Sequence, residues 1–307
     1  MNRVEVVDED AGFVQQQGTM TRRRWLALVS RIVRLVGKPP HRTADLVRQS
    51  YDRIADGYDH AWTDHMRVLS LEMLDRLAPF KGAACVDLAC GTGFLTAELM
   101  QRTGGHVCGV DSSPGMLRAA RSRLGENCTL VQADVVEYLR SRPPGSADIV
   151  TCGWALGYAQ PWAVIREAAR VLRPGGRIGI IDNTLFSLAG VLWASILTFA
   201  EDPEALVHVM QVRFLPASWC LALLMRRAGL GIVATWDGSK TYRVPDGDAA
   251  VARLTATGAA AGFEFAADEG HREAIFARFA EILERRYRQG DGIPITHQYL
   301  AAVGRKT

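Results

Sequence analysis

Histidine and cysteine are scarce in this 307-residue sequence, and neither falls at metal-ligand spacing. The seven histidines form no His-x-x-x-His pair and the six cysteines no Cys-x-x-Cys, so neither a metal site nor a redox dithiol is expected. Cys85, Cys108 and Cys152 sit in apolar, strand-like runs, as free thiols of a reducing compartment do. An excess of one charge is also missing. The net charge is +3, and the short arginine clusters at Arg22–Arg24 and Arg118–Arg123 lack interleaved aromatics, which argues against a nucleic-acid partner. The uncharged stretch Thr184 to Ala200 is 17 residues and falls short of the ~20 that a membrane span needs. The first twenty residues include Glu5, Asp8, Glu9 and Asp10 and do not read as a signal peptide, so a cytoplasmic setting is expected. Ser112 and Ser113 lie in no Gly-x-Ser-x-Gly elbow, which sets a hydrolase triad aside.

What is present is a chain of strand ends carrying acids. Val86-Asp87-Leu88-Ala89-Cys90-Gly91-Thr92-Gly93-Phe94 reads as a buried strand, a glycine turn and the start of a helix. In open α/β sheets that turn lies where a nucleotide-like cofactor crosses the carboxyl ends of the strands. The third glycine of a dinucleotide loop and the lysine of a phosphate loop are absent. Asp87 beneath the loop would repel a pyrophosphate and attract a cation, which favours S-adenosylmethionine with its ammonium and sulfonium groups. A second strand, His106 to Val110, leads to Asp111, placed to accept from both ribose hydroxyls. Ser112-Ser113-Pro114 then opens a helix with Met116 in its first turn. A third strand, Thr129 to Gln132, leads to Ala133-Asp134-Val135, where a carboxylate could accept from an adenine amino group. A fourth, Asp148 to Cys152, ends in Gly153-Trp154-Ala155-Leu156, and Leu172-Arg173-Pro174-Gly175-Gly176 turns into a fifth, Arg177 to Asp182. Trp154 reads either as a wall of the cofactor or acceptor pocket or as ordinary packing.

These pieces, together with Tyr51-Asp52-x-x-Ala55-x-x-Tyr58-Asp59 and Gly109-Val110-Asp111-Ser112-Ser113, resemble the class I S-adenosylmethionine-dependent methyltransferases. Within that class the likeness is to the small-molecule branch that includes the quinone-biosynthesis enzymes and the malonyl carrier-protein methyltransferase of biotin synthesis. It covers residues 45 to 182 well and the remainder in outline. The resemblance implies a doubly wound, seven-stranded, mostly parallel α/β sheet. It also implies that Gly91 and Gly93 contact the methionine part of the cofactor, Asp111 the ribose and Asp134 the adenine, with Tyr58 and Tyr51 closing from the N-terminal side. Asp87, Ala89, Ser112, Met116, Val135 and Trp154 complete the expected cofactor set.

The expected organisation is an N-terminal extension, residues 1–42, and a methyltransferase domain, residues 43–307, with lid segments at 43–70, 184–215 and 246–290. Residues 1 to about 20 lack periodicity and read as disordered. Thr21 to Lys38 is amphipathic: Trp25, Leu28, Val29, Ile32 and Val36 share one face, and Arg24, Arg31, Arg34 and Lys38 the other. Lys38-Pro39-Pro40 should end that helix. Its apolar face either docks on the body of the protein or rests on anionic lipid, a possible peripheral membrane contact. Ala44 to Gly57 should be helical, followed by a loop with Tyr58, His60 and His65, and then by a helix over 67–78. Thr184 to Ala200 reads as a buried or lid helix, either a lipophilic substrate wall or plain core packing. Pro216 to Leu230 should be a helix, Gly231 to Trp236 strand six, Asp246 to Arg288 two helical segments, and Ile295 to Arg305 an antiparallel strand seven.

Methyl transfer from a sulfonium needs alignment and exclusion of water more than a fixed catalytic residue. A phenolic acceptor, with pKa near 10, would gain from a base, and His60 and His65 are the candidates, with His297 and Asp182 behind them. The expected reaction is methylation of oxygen or carbon on a small, largely apolar acceptor, quinone-like or a secondary metabolite. A carrier-protein-bound acyl carboxylate, a nicotinamide oxidoreductase and a non-catalytic cofactor-binding partner protein are the competing readings.

Overall fold

The computed structural model describes residues 21–37, 41–259, 261 and 263–307; the first twenty residues, and the Lys38-Pro39-Pro40 stop expected after the first helix, lie outside them. The chain begins with helices α1 (Arg22–Val36), α2 (His41–Ile54) and α3 (Asp64–Leu77). It then alternates through β1 (Cys85–Leu88), α4 (Phe94–Thr103), β2 (Val107–Asp111), α5 (Pro114–Leu124), β3 (Thr129–Gln132), α6 (Val135–Ser141), β4 (Ala147–Gly153), α7 (Pro161–Val171) and β5 (Leu172–Asn183). After β5 come α8 (Ala189–Glu201), α9 (Ser218–Arg227), β6 (Leu230–Val244), α10 (Gly247–Ala256), α11 (Arg272–Tyr287) and β7 (Ile293–Lys306). One seven-stranded sheet runs β3-β2-β1-β4-β5-β7-β6. β1 to β5 are parallel, and β7 is antiparallel to both of its neighbours.

Every residue of β1 and β2 is buried, as expected of strands covered by helices on both faces. One apolar core holds Val86, Leu88, Val110, Val150 and Ile178 with α7. A second, on the opposite face, gathers Met73, Leu74 and Leu77 of α3 with Leu99, Ile149 and Val303. The helices start where the sequence supplies acceptors. Ser113 Oγ accepts the Met116 amide at α5 with Pro114 in the first turn, and Asp134 caps α6 through the amides of Val136 and Glu137.

Four expectations are corrected. β5 begins at Leu172, which pairs with Ala147 before a register shift lets Arg177 pair with Ile149. β6 continues past Trp236 to Val244, because β7 hydrogen-bonds along its whole length, from Leu230 opposite Lys306 to Val244 opposite Ile293. Residues 58–66 form no loop: Asp59–Thr63 is a π-helical turn leading into α3, and no glycine or proline interrupts the run. α8 is not uniformly covered; Ala194, Thr198 and Phe199 are buried, while Trp193 and Ile196 face solvent.

The face of α1 is also rotated from its expected position. Leu28 and Leu35 are buried and Trp25 and Ile32 pack beside them, in a cluster with Phe199, Leu206 and Ile275, whereas Val29 and Val36 are exposed. The apolar arc of this helix is wider than the strip that docks. No helix among the described residues is long and apolar enough to cross a membrane.

Candidate active site

A cleft of about 810 Å³ opens at the carboxyl ends of β1, β2, β3 and β4, and a second cavity of about 450 Å³ adjoins it through shared walls at Tyr58, Ala89, Gly91 and Trp154. Tyr51, Tyr58, Ala89, Gly91, Asp111, Ser112, Met116, Asp134, Val135 and Trp154 line the larger space, and Asp87 lines the smaller. Gly93 lines neither. It takes φ +82° at the start of α4, and a Cβ there would meet Leu124 Cδ1 at 2.8 Å, so this glycine serves helix packing.

The carboxylates are held, not loose. Asp87 is buried and accepts the hydroxyls of Thr96 and Thr151, each at 2.7 Å. Burial pushes its carboxyl up to about 6 against the pull of those hydroxyls. Asp111 accepts the Gly91 amide at 2.9 Å on one oxygen and the Ser113 amide at 2.8 Å on the other, and burial raises its carboxyl as well. Asp134 uses Oδ1 to cap α6, which leaves Oδ2 as its acceptor toward the cleft. Among the described residues, every charged side chain lining the two spaces is a carboxylate.

The aromatic roof comes from α2 and the turn after it. Tyr51 stands edge-on to Tyr58 (5.8 Å) and to Tyr158 (6.2 Å), and burial holds all three phenols above their ordinary range. Asp59 straps this turn to the glycine loop, accepting the Thr92 hydroxyl at 2.6 Å and pairing with Arg123. Asp52 of α2 accepts the Ser113 hydroxyl at 2.6 Å and the Gly115 amide at 2.9 Å. A Cβ on Gly115 would lie 2.9 Å from the Asp52 carbonyl oxygen, so α2 rests directly on the start of α5. Trp154 takes φ +61° and donates its indole N–H to Ser70 Oγ at 2.9 Å, standing edge-on to Trp62. Tyr158, Trp62, Asp52 and Ser70 were not picked out from the sequence, although Asp52 lies inside the tyrosine motif.

Of the two histidines expected near the chemistry, His60 is misplaced. Its side chain is 96 % exposed and lies 3.9 Å from Asp64, because the π-helical turn rotates it outward. His65 joins a buried cluster beyond Trp62. It stands edge-on to Tyr242 (4.9 Å), which stacks on His297 (5.8 Å), which in turn stands edge-on to Trp62 (5.1 Å). His297 Nδ1 lies 3.3 Å from Asn183 Oδ1, while His297 Nε2, His65 Nε2 and Trp62 Nε1 are buried without a partner among the described residues, and the buried Tyr242 hydroxyl has only Arg253 as a polar neighbour. Burial lowers His65 and drives His297 down to about 3, so both rings are neutral at pH 7. Asp182, pushed up to about 7 by burial, accepts the amides of Gly157 and Asn183 and faces no histidine directly.

Beyond Tyr242 lies an apolar cavity of about 710 Å³ between α8, α10 and α11, walled by Leu188, Val191, Phe199, Leu254, Phe276 and Phe279 among others. Its one charged wall residue, Glu264, accepts from Ser50 and Arg53. Ala259, which lines this cavity, packs also on the core that holds Trp62 and Trp154. No group of three or more His, Cys, Asp or Glu among the described residues could hold a metal ion.

Residues 85–176 match a family described as a methyltransferase domain. The chain is 32% identical over 205 residues to the demethylmenaquinone methyltransferase of Corynebacterium kroppenstedtii, covering 61% of this chain and 84% of that protein. It is 32% identical over 153 residues to a ubiquinone biosynthesis O-methyltransferase of Cupriavidus pinatubonensis, covering 46% of this chain and 60% of that protein. Among solved structures, the YcgJ protein of Bacillus subtilis superposes with a TM-score of 0.53 at 19% identity, over 77% of this chain and 97% of that one, a likeness of fold alone.

Proposed function

From a chain that belongs to the class I S-adenosylmethionine-dependent methyltransferases, we infer a methyl transfer to oxygen or carbon of a small, largely apolar, quinone-like acceptor. One observation supports the cofactor's placement: the cleft is lined by Asp87, Asp111 and Asp134 and, among the described residues, by no cation. A pyrophosphate is repelled by that set, whereas a sulfonium and an ammonium are attracted, so the donor set fits S-adenosylmethionine and not a dinucleotide. When bound, the cofactor supplies an electrophilic methyl group on a good leaving group.

The residues of the chain divide the remaining work. Asp111, fixed by two amides, keeps lone pairs for the ribose hydroxyls, and the Oδ2 of Asp134 serves the adenine amino group. Tyr51, Tyr58 and Tyr158 exclude water from above. The acceptor reading rests on the apolar cavity and on the unpartnered polar atoms of the aromatic cluster that runs from Trp62 to Tyr242, which packs beside the cavity wall. The hydrocarbon part of an acceptor occupies the cavity, and its hydroxyl or carbonyl meets Tyr242, His65 or His297. Neutral imidazoles of lowered basicity orient a hydroxyl better than they deprotonate it.

The test is direct. S-adenosylmethionine and S-adenosylhomocysteine should raise the thermal midpoint while NAD and NADP do not. Labelled methyl should pass from S-adenosylmethionine to members of a panel of reduced naphthoquinones and benzoquinones. A shift with NAD alone would overturn the cofactor's placement. Cofactor binding with transfer only to acyl carrier substrates would overturn the acceptor, and binding without transfer to any of them would leave a cofactor-binding partner protein.

A further inference from the structure

α1 is held to the body by one edge. Leu28 and Leu35 are buried, and Arg31 reaches across to the carbonyls of Leu206 at 2.7 Å and Glu204 at 3.4 Å. The adjoining edge, Leu26, Val29, Val33 and Val36, is 70, 55, 67 and 50 % exposed. Those positions recur at helical spacing and make one continuous aliphatic stripe. Trp25, beside the stripe, stacks on Trp193 of α8 with ring centroids 6.1 Å apart, and Trp193 and Ile196 are themselves exposed, so the apolar surface continues onto α8.

The charges that α1 itself presents have one sign. α1 holds no acidic residue, and Arg22, Arg23 and Arg34 are exposed and make no ion pair among the described residues, while Arg24 lies in the field of Glu201 on α8. Nothing in the fold calls for four aliphatic side chains on that edge, because Leu28, Leu35 and Arg31 already secure the helix. A convex apolar stripe bracketed by arginines fits a flat, anionic surface and no groove. We propose that the outer edge of α1, continued by Trp193 and Ile196, docks this protein on the surface of an anionic lipid bilayer. The aliphatic stripe enters the boundary between headgroups and acyl chains, and the arginines remain at headgroup level by extending their long stems.

The docking stands independently of the acceptor. If the acceptor is apolar as read above, the same arrangement sets α8, which walls the apolar cavity with one side and carries Trp193 and Ile196 on the other, next to the phase in which such a molecule dissolves.

Sedimentation of the full chain with vesicles decides the matter. Vesicles of phosphatidylcholine doped with phosphatidylglycerol should carry the protein down, and pure phosphatidylcholine should carry far less. Replacing Arg22, Arg23 and Arg34 by serine should weaken the association about five-fold per arginine, and added salt should mimic that loss. The double variant Val29→Asp, Val33→Asp should lose about tenfold or more in vesicle affinity. Its thermal midpoint and its S-adenosylmethionine affinity should match those of the parent, since both positions are exposed. An intact chain that ignores anionic vesicles overturns the proposal, as does a folded aspartate variant that binds them equally well. Light scattering that shows a dimer broken by the aspartates, without vesicle binding, would make this edge a contact between copies and overturn it equally.

Discussion

The two sides of the site are built on opposite plans. Over β1 to β3 the polar groups are already matched: Asp87 holds two hydroxyls, Asp111 two amides and Asp134 two more. Over β5 to β7, three polar atoms of Trp62, His65 and His297 are buried with no match among the described residues. The first side is rigid before any ligand arrives, and its unbalanced quantity is charge. The second lacks hydrogen bonds, and an acceptor that supplied them would relieve a standing cost. A buried polar atom without a partner costs about 1–3 kcal/mol, so the acceptor side is where stability has been given up.

The largest test of this contrast is Asp111→Ala. It removes the fixed acceptor for the ribose and strands the amides of Gly91 and Ser113, so S-adenosylmethionine binding should weaken by about 1.5–3 kcal/mol by calorimetry. Unchanged affinity in a folded variant would show that the charged side is not the cofactor side.

A pH series comes next, because it moves the two properties in opposite directions. The carboxyl of Asp87 is raised to about 6, so the folded chain binds protons more readily than the unfolded one between the usual carboxylate range and that value. Its contribution to stability is present at low pH and is lost as pH rises through about 6. Depressed carboxylates such as Asp148, Glu167 and Glu201 act the other way below the ordinary range, and His297, held neutral down to about 3, removes stability as pH falls below about 6.5. Asp87 is isolated by comparing the parent with Asp87→Asn: from pH 7 to 5 the ligand-free parent should gain thermal stability relative to the variant, while its affinity for the cationic cofactor should fall, approaching tenfold per unit below pH about 6. A pH dependence of affinity that Asp87→Asn leaves unchanged would remove Asp87 from the cofactor's field.

The smallest effect should come from Tyr242→Phe. Deleting a buried hydroxyl whose polar neighbour is Arg253 should change stability by no more than about 1 kcal/mol. S-adenosylmethionine affinity should not change, and the KM of a reduced quinone acceptor should rise several-fold. An unchanged KM would remove Tyr242 from the acceptor side.

The same contrast explains what could be read from the chain. Asp87, Asp111, Ser112, Met116, Asp134 and Trp154 each close a local strand-turn unit, so spacing alone places them at one rim. Trp62, Tyr242 and His297 meet only because β7 inserts between β5 and β6, a long-range pairing with no local mark. Gly93 looked like a ligand contact because it shares the loop with Gly91, yet the side chain of Leu124 is what forbids a Cβ there. His60 is close in sequence to the roof tyrosines and points away, since one π-helical turn changes the phase of everything after it. For α1 the period was legible and the phase was not: an apolar arc that wide does not say which edge will dock.

The contact of α2 with α5 has a consequence in time. The carboxylate of Asp52 holds the hydroxyl of Ser113 and the amide of Gly115 together, with no room for so much as a methyl group between the helices. Those two bonds form a seam along the rim where Ser112 and Met116 face the cleft. Asp52→Ala, which removes both bonds, should therefore speed the release of S-adenosylmethionine in stopped-flow measurements; an unchanged release rate would mean that the ligand leaves by another edge.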